Sequence, residues 1–332
     1  MSFKENDIRP ADLMKMKEPA LEHDKKFLRD RIPQFVQVPC PACGSMSRTA
    51  WATKEGFSYD LCNDCRTIYM NPRAPENILY EFYDQSENYA FWNKHIFPAS
   101  EQARKQKIFV PRAKRLQSYC QQQGVKGGTL LEIGSAFGTF CEAAKELNYF
   151  ERIIAVEPTP DLAATCRKKG IETLQQPVEQ LTLPENSVDV VASFEVIEHL
   201  GNPQTFVQQS IRYLRKGGLF ICTCPNGEGL GTLVLKEKAK VVDHEHVNYF
   251  NPKSLSLLLE RNGLEVLEVS TPGELDVELL VNAFKEDQAL MQGVPLFNYL
   301  THVASSEQLL NFQQYLKENL LSSHMWIIAK RR

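Results

Sequence analysis

No apolar run in this chain of 332 residues approaches the roughly 18 positions that a membrane-spanning helix requires, so no span of that kind is expected. The opening stretch, MSFKENDIRPADLMKMKEPALEHDKK, is densely charged where a secretory leader would need an apolar segment, and a cytoplasmic protein is expected. An excess of charge of one sign is also missing: 38 Lys and Arg stand against 41 Asp and Glu, for a net charge of −3. Such a balance gives no global pull toward phosphate backbones, whose binding runs mainly on Lys and Arg. Internal repeats, low-complexity tracts and a GxGxxG dinucleotide fingerprint are likewise absent, which excludes solenoid folds and removes the usual signature of a nicotinamide or flavin dinucleotide.

What remains is ordinary for a folded chain, 43% hydrophobic and 24% charged, long enough for one main core and a smaller appended unit. A helical, polar segment is expected over residues 1–35, followed by a cysteine-rich hairpin unit over 36–72. Residues 73–127 read as a helical cap rich in aromatics (Tyr80, Phe82, Tyr83, Tyr89, Phe91, Trp92, Phe97). Over 128–272 short apolar runs (TLLEIG, RIIAVE, VDVVASF, GGLFICTC) alternate with helix-like segments, the pattern of a parallel sheet covered on both faces. Helices and a closing strand, HMWIIAKR, are expected over 273–332. The fold class is therefore α/β, a Rossmann-like sheet with two N-terminal additions.

Between Phe91 and Lys126 there are eight Lys or Arg (Lys94, Arg104, Lys105, Lys107, Arg112, Lys114, Arg115, Lys126) against one acid, Glu101. They make either a solvated helix face or a grip on a phosphate-bearing substrate.

Two CxxC pairs, Cys40 with Cys43 and Cys62 with Cys65, are separated by residues 44–61. Each pair can present two thiolates from one tight turn, so together they complete a tetrahedron of sulfurs around zinc. Redox-active thiols or disulfides are the competing reading, disfavoured in a reducing compartment. Four thiolates leave no open coordination position, so the zinc would be structural. RTAWAT and FSYDL flank the turn KEG between the pairs, as in a zinc ribbon. The other five cysteines read as small buried apolar residues.

TLLEIGSAFGTF sets a buried strand before a turn containing Gly134 and Gly138, and then a helix, which brings backbone N–H groups to a ligand at the carboxyl edge of a parallel sheet. Glu132 precedes the turn; a carboxylate there repels a pyrophosphate and attracts an ammonium. The next strand ends at Glu157, where a carboxylate can accept from two ribose hydroxyls. A ligand with a ribose, a positive amino-acid end and no phosphate fits this set, and S-adenosylmethionine is such a ligand.

On these residues the chain resembles the class I methyltransferases over about 125–272 and the closing strand. The resemblance implies that Glu132, Gly134, Ser135, Ala136 and Gly138 carry the methionine portion, Glu157 with Pro158 the ribose, and Val178 and Glu179 border the adenine. Ala136 replaces a customary glycine while keeping small size. SFEVIEHL matches as well and implies that Phe194 and Glu195 lie along the cofactor. Glu198 and His199 have two readings, as residues of a helix start or as pocket residues.

The stretch VVDHEHVNYF, residues 241–250, follows the strand FICTC and opens onto the same rim. His244 and His246 sit among acids, an arrangement suited to a general base, to a metal pair or to a structural network. An N-terminal zinc ribbon, an aromatic cap and an EHxxYF segment together resemble sugar methyltransferases, including those that methylate carbon on nucleotide-linked ketodeoxysugars. That resemblance implies His246 as base, assisted by Glu245, His199 and Tyr89, with Tyr89 equally readable as cap core. His244 stands where a tyrosine is customary, and no large C-terminal domain follows, so oxygen methylation of a sugar hydroxyl is as open as carbon methylation. The implied partner is a small molecule, such as a nucleotide sugar, with no membrane. RNA methylation through the ribbon and the basic segment, or a non-enzymatic binding module, are the alternatives.

Overall fold

In a computed structural model, residues 4–292 and 294–332 are described. The strands in chain order are β1 (Arg48–Lys54), β2 (Phe57–Cys62), β3 (Ile68–Met70), β4 (Thr129–Ile133), β5 (Arg152–Val156), β6 (Glu172–Leu174), β7 (Val188–Phe194), β8 (Leu214–Pro225), β9 (Asn248–Tyr249), β10 (Leu264–Ser270) and β11 (His324–Arg331). Seven form the main sheet in the order β10-β11-β8-β7-β4-β5-β6. Neighbours from β8 to β6 run parallel, and β11 inserts antiparallel between β8 and β10. The expected α/β fold with a mostly parallel central sheet is observed.

The apolar runs are continuous because both faces of the sheet are covered. Leu131, Val191, Phe220 and Ile327 pack on one face with Phe206 and Leu258. Their chain neighbours Leu130, Val190, Ile221 and Ile328 pack on the other with Leu116 and Phe140. This is the period-two alternation of a strand. Polar caps with proline at the first turn start two of the covering helices: Asn202 accepts from Thr205 N (3.2 Å) before Pro203–Tyr213, and Asn251 accepts from Ser254 N (2.8 Å) before Pro252–Arg261. Cys120, Cys141, Cys166, Cys222 and Cys224 are all buried.

A second, antiparallel sheet has the order β1-β2-β3-β9. Its first three strands come from the cysteine-rich unit, but β9 comes from the loop after β8, pairing Tyr249 with Ile68 and Asn248 with Tyr69. The stretch around His244 and His246 is thus sewn to the ribbon. Further ties are Tyr59 Oη donating to Asp243 O (2.7 Å), Lys54 Nζ to Val242 O (2.6 Å) and Asn251 Nδ2 to Cys65 O (3.0 Å).

The N-terminal helices, Glu5–Ile8, Ala11–Met16 and Glu18–Arg29, lie against the cap, where Asp24 accepts from the N–H groups of Glu87 (3.0 Å) and Asn88 (3.1 Å). In the basic segment Arg104, Lys105, Arg112 and Arg115 are all engaged by protein groups, and Lys107 pairs with Asp7. Lys94, Lys114 and Lys126 are exposed. No described helix is long and apolar enough to cross a membrane.

Candidate active site

Three loops meet at the carboxyl ends of β4, β7 and β8. The strand order reverses direction beside β4, so a crevice opens there. After β4, the turn is built on the end of β5: the N–H groups of Gly134 and Ser135 both donate to Val156 O (2.9 and 3.2 Å). Gly134 has a φ of +79°, and a Cβ there would meet Val196 Cγ2 at 2.4 Å, so a side chain is excluded by both backbone and space. Ala136 also occupies the left-handed region, at a φ of 46°, a strained position for a residue with a Cβ. Its N–H donates to Glu157 Oε2 (2.8 Å), and Glu157 Oε1 accepts from Thr159 N (2.9 Å). Each carboxylate oxygen thus keeps a further lone pair for a ribose hydroxyl. Pro158 beside it is exposed.

Glu132 is buried under the turn, where its Oε2 accepts from Cys141 Sγ (2.9 Å). Burial pushes its carboxyl up to about 8, against the opposing pull of Cys141 and Arg112. A carboxylate so poor in compensation is stabilised by an arriving ammonium group. A cavity beside the turn is lined by Ser135, Ala136 and Phe137 and roofed by Phe97, Glu101 and Arg104 of the cap. Val178, buried, and Glu179, exposed, follow β6 on the same rim. The turn and its two acids fit the methionine and ribose portions expected of S-adenosylmethionine.

Phe194 ends β7 and packs in the core on Phe140 (centroids 4.5 Å apart), whereas Glu195 reaches into the crevice. Glu195 Oε1 accepts from Thr223 Oγ1 (2.6 Å) and lies 3.4 Å from both Arg112 and His324. Desolvation works against its charge, yet His324 and then Arg112 outweigh it and hold the carboxyl below its usual range. The sequence marked Arg112 only as one of the eight basic residues of 91–126 and His324 not at all, because the two come from the cap helix Val110–Gln122 and from β11, far apart in the chain.

The loops after β7 and β8 bring Glu198, His199 and His246 together, with ligand-type atoms all within 4.8 Å. The two rings stand 4.7 Å apart. Glu198 is fully buried, and neither of its carboxylate oxygens has a hydrogen-bond partner among the described residues. Burial, then the charge of Glu195, pushes it up to about 8. Burial also opposes charge on His246, but Asp243 foremost, then Glu198, raise it to about 9. Burial and the neighbouring His246 hold His199 down at about 3, so at neutral pH His199 is neutral and the charge sits on His246. Asn248 clamps the arrangement: its Nδ2 donates to Leu200 O (2.8 Å) and Ile197 O (3.2 Å) while its Oδ1 accepts from buried Arg73 (3.1 Å).

His244 points elsewhere. Its side chain is fully buried between the rings of Phe57 and Phe82, at centroid distances of 6.3 and 5.9 Å, so it is separated from the His199 and His246 pair. Glu245 lies between the two sides, receives Asn88 Nδ2, and is pushed up to about 7 by burial and Asp243. Tyr89 packs on Tyr83 (5.7 Å), whose hydroxyl donates to His199 O (3.2 Å). Burial and Glu245 raise the Tyr89 hydroxyl well above its usual value.

Cys40, Cys43, Cys62 and Cys65 also converge, with all four sulfurs within 4.8 Å of one another and Cys40–Cys65 and Cys43–Cys62 each at 3.5 Å. Zinc–sulfur bonds of about 2.3 Å in a tetrahedron set sulfurs about 3.8 Å apart, so the donor set fits zinc.

Residues 107–269 match the family model described as a methyltransferase domain. A probable S-adenosylmethionine-dependent methyltransferase of Mycolicibacterium smegmatis is 38% identical over 87 residues, 26% of this chain and 32% of that protein. The C-methyltransferase NovU of Streptomyces niveus is 25% identical over 150 residues, 44% of this chain and 34% of that one. The match spans about a third of the length of each. A chain in the solved complex between the Haloferax volcanii Trm112 methyltransferase activator and a methyltransferase shares the fold, with a TM-score of 0.50 at 15% identity, over 72% of this chain and 95% of that chain.

Proposed function

We propose, from a chain whose residues 107–269 form a class I S-adenosylmethionine-dependent methyltransferase domain, that it methylates a small-molecule acceptor, a sugar or nucleotide-linked sugar, on oxygen or carbon. The observation that carries this reading is the joining of two sites at one sheet edge. Glu132, the glycine turn and Glu157 stand where β4 and β5 end, and Glu198, His199 and His246 come together on the loops after the adjacent strands β7 and β8, which supports reading the first set as the cofactor site and the second as the acceptor site.

S-adenosylmethionine supplies a methyl group already activated on a sulfonium. The protein has to orient an acceptor and relieve it of a proton, and positioning accounts for most of the acceleration. In the cation-free site His246 takes that proton from its neutral form, the minor form at neutral pH because Asp243 and Glu198 raise it to about 9, so turnover rises as pH increases toward 9. Its Nδ1 faces Val241 O (2.9 Å), so Nε2 is the atom directed at the acceptor. Such a base contributes about 100- to 10,000-fold. Cys40, Cys43, Cys62 and Cys65 hold a structural zinc, and the ribbon it organises carries the histidine loop through β9. The pairing of Arg104, Lys105, Arg112 and Arg115 with protein groups weighs against an RNA acceptor.

Incubation with isotopically labelled methyl donor, a panel of nucleotide sugars and small RNAs tests this, with the label located by mass fragmentation. Label is expected in a nucleotide sugar. Label confined to RNA, with binding that weakens steeply with salt, would replace the sugar reading. His246→Gln is expected to bind cofactor normally and lose turnover; near-normal turnover would remove His246 from the reaction.

A further inference from the structure

We infer that Glu198, His199 and His246 form a binding site for a divalent first-row transition cation, separate from the cysteine cluster. The inference rests on the methyltransferase reading, and it makes His246 a ligand in place of a proton acceptor whenever the cation is bound.

Ring orientation is the first argument. His246 Nδ1 lies 2.9 Å from Val241 O and His199 Nδ1 lies 3.1 Å from Glu245 O. A carbonyl oxygen can only accept, so both Nδ1 atoms carry hydrogen; the Nε2 of neutral His199 is free, and that of His246 becomes free when the arriving cation displaces its proton. Backbone carbonyls fixing the tautomer in this way are the customary outer support of a metal-ligating histidine.

The second argument is the carboxylate. Both oxygens of Glu198 are buried without a partner, a costly state that metal coordination removes. A structural role for Glu198 would have given it donors; none is supplied among the described residues. The three ligating groups fall within 4.8 Å of one another, the span a single ion can bridge. Asp24, His244 and Glu245 also lie close together, and both ring nitrogens of buried His244 lack a hydrogen-bond partner among the described residues, but the oxygens of Asp24 are already taken up by Ser86, Glu87 N and Asn88 N and Glu245 receives Asn88 Nδ2, so no carboxylate there is left without a donor.

Two imidazoles and one carboxylate favour zinc, manganese or cobalt over magnesium, which prefers oxygen ligands. Three protein ligands leave coordination positions open, in contrast to the closed set of four sulfurs. An acceptor hydroxyl on an open position becomes more acidic. Its proton leaves to water, the oxygen bonds to the methyl carbon, and the sulfonium sulfur keeps the electron pair of the broken carbon–sulfur bond.

The test uses the full chain treated with a weak chelator, with metal analysis showing that the ribbon keeps its zinc. Cobalt(II) is then titrated and followed by calorimetry and visible absorption. One further equivalent is expected, with ligand-field bands and no sulfur-to-cobalt charge transfer. Glu198→Gln and His199→Asn should each weaken it about 100-fold or more. No added equivalent, or one that both variants retain, overturns the site. Folding of each variant is checked by circular dichroism, and if one fails the other decides. S-adenosylmethionine binding, measured in the same samples, reports separately on the methyltransferase reading. Turnover that persists undiminished in chelated protein would return His246 to the role of base.

Discussion

The two halves of the crevice are built by opposite means. On the side proposed for the cofactor, Glu132, the turn 134–138 and Glu157 belong to one strand–turn–helix–strand unit, and their hydrogen bonds run between β4 and β5. On the side proposed for the acceptor, Glu198, His199 and His246 belong to two loops held by Asn248, Arg73 and β3. The first is held within the main sheet, and the second, though its loops leave β7 and β8 of that sheet, is braced by a separate one through β9. Damage to the ribbon should therefore reach methyl transfer without reaching cofactor binding.

The largest expected effect comes from Cys62→Ser. Loss of a thiolate removes much of the roughly 10 kcal/mol that a structural zinc lends to folding, and β9 loses its support. Turnover should fall about 100-fold or more, while S-adenosylmethionine affinity, read by calorimetry, stays within a few-fold. Equal loss of both would mean the halves are not independent. Asn248→Ala is the milder version. It strips buried Arg73 and the 197–200 carbonyls of a partner, at a cost of about 2–3 kcal/mol in urea unfolding, again with cofactor binding preserved.

A third experiment addresses the cofactor side alone. Glu132, pushed up to about 8, is largely protonated at neutral pH and must release its proton to meet an ammonium. Cofactor affinity should therefore rise as pH increases toward 8, by up to about 1.4 kcal/mol per unit, and level off above it. Calorimetry in buffers of different ionisation enthalpy reads the released proton, and Glu132→Gln should flatten the profile. A flat profile in the unaltered protein would show the carboxylate already ionised.

The same division explains what could be read from residues in order. The CxxC pairs, the glycine turn with its flanking acids and the alternation of strand and helix depend on contacts within a few positions, and they were legible. The sewing of Asn248 and Tyr249 to β3 was not, because a two-residue strand carries no pattern and its partner lies near residue 68. His244 and His246 could have shared a side by spacing. Phe57 and Phe82 from distant elements turn the first away, while His199 receives the second. Glu198 was legible as either a helix-start or a pocket residue, but its lack of a partner was not, since burial is a property of everything packed around it.

β11 occupies the interior of the main sheet although residues 271–323 intervene between it and β10. During synthesis, β8 therefore leaves the ribosome long before its neighbour exists, and β10 has nothing beside it to zip onto. Until residues 324–331 emerge, the strand edges of β8 and β10 that β11 will cover stay unpaired, the kind of edge that templates aggregation. Removing those eight residues would gut the sheet from within, a far heavier injury than trimming a tail.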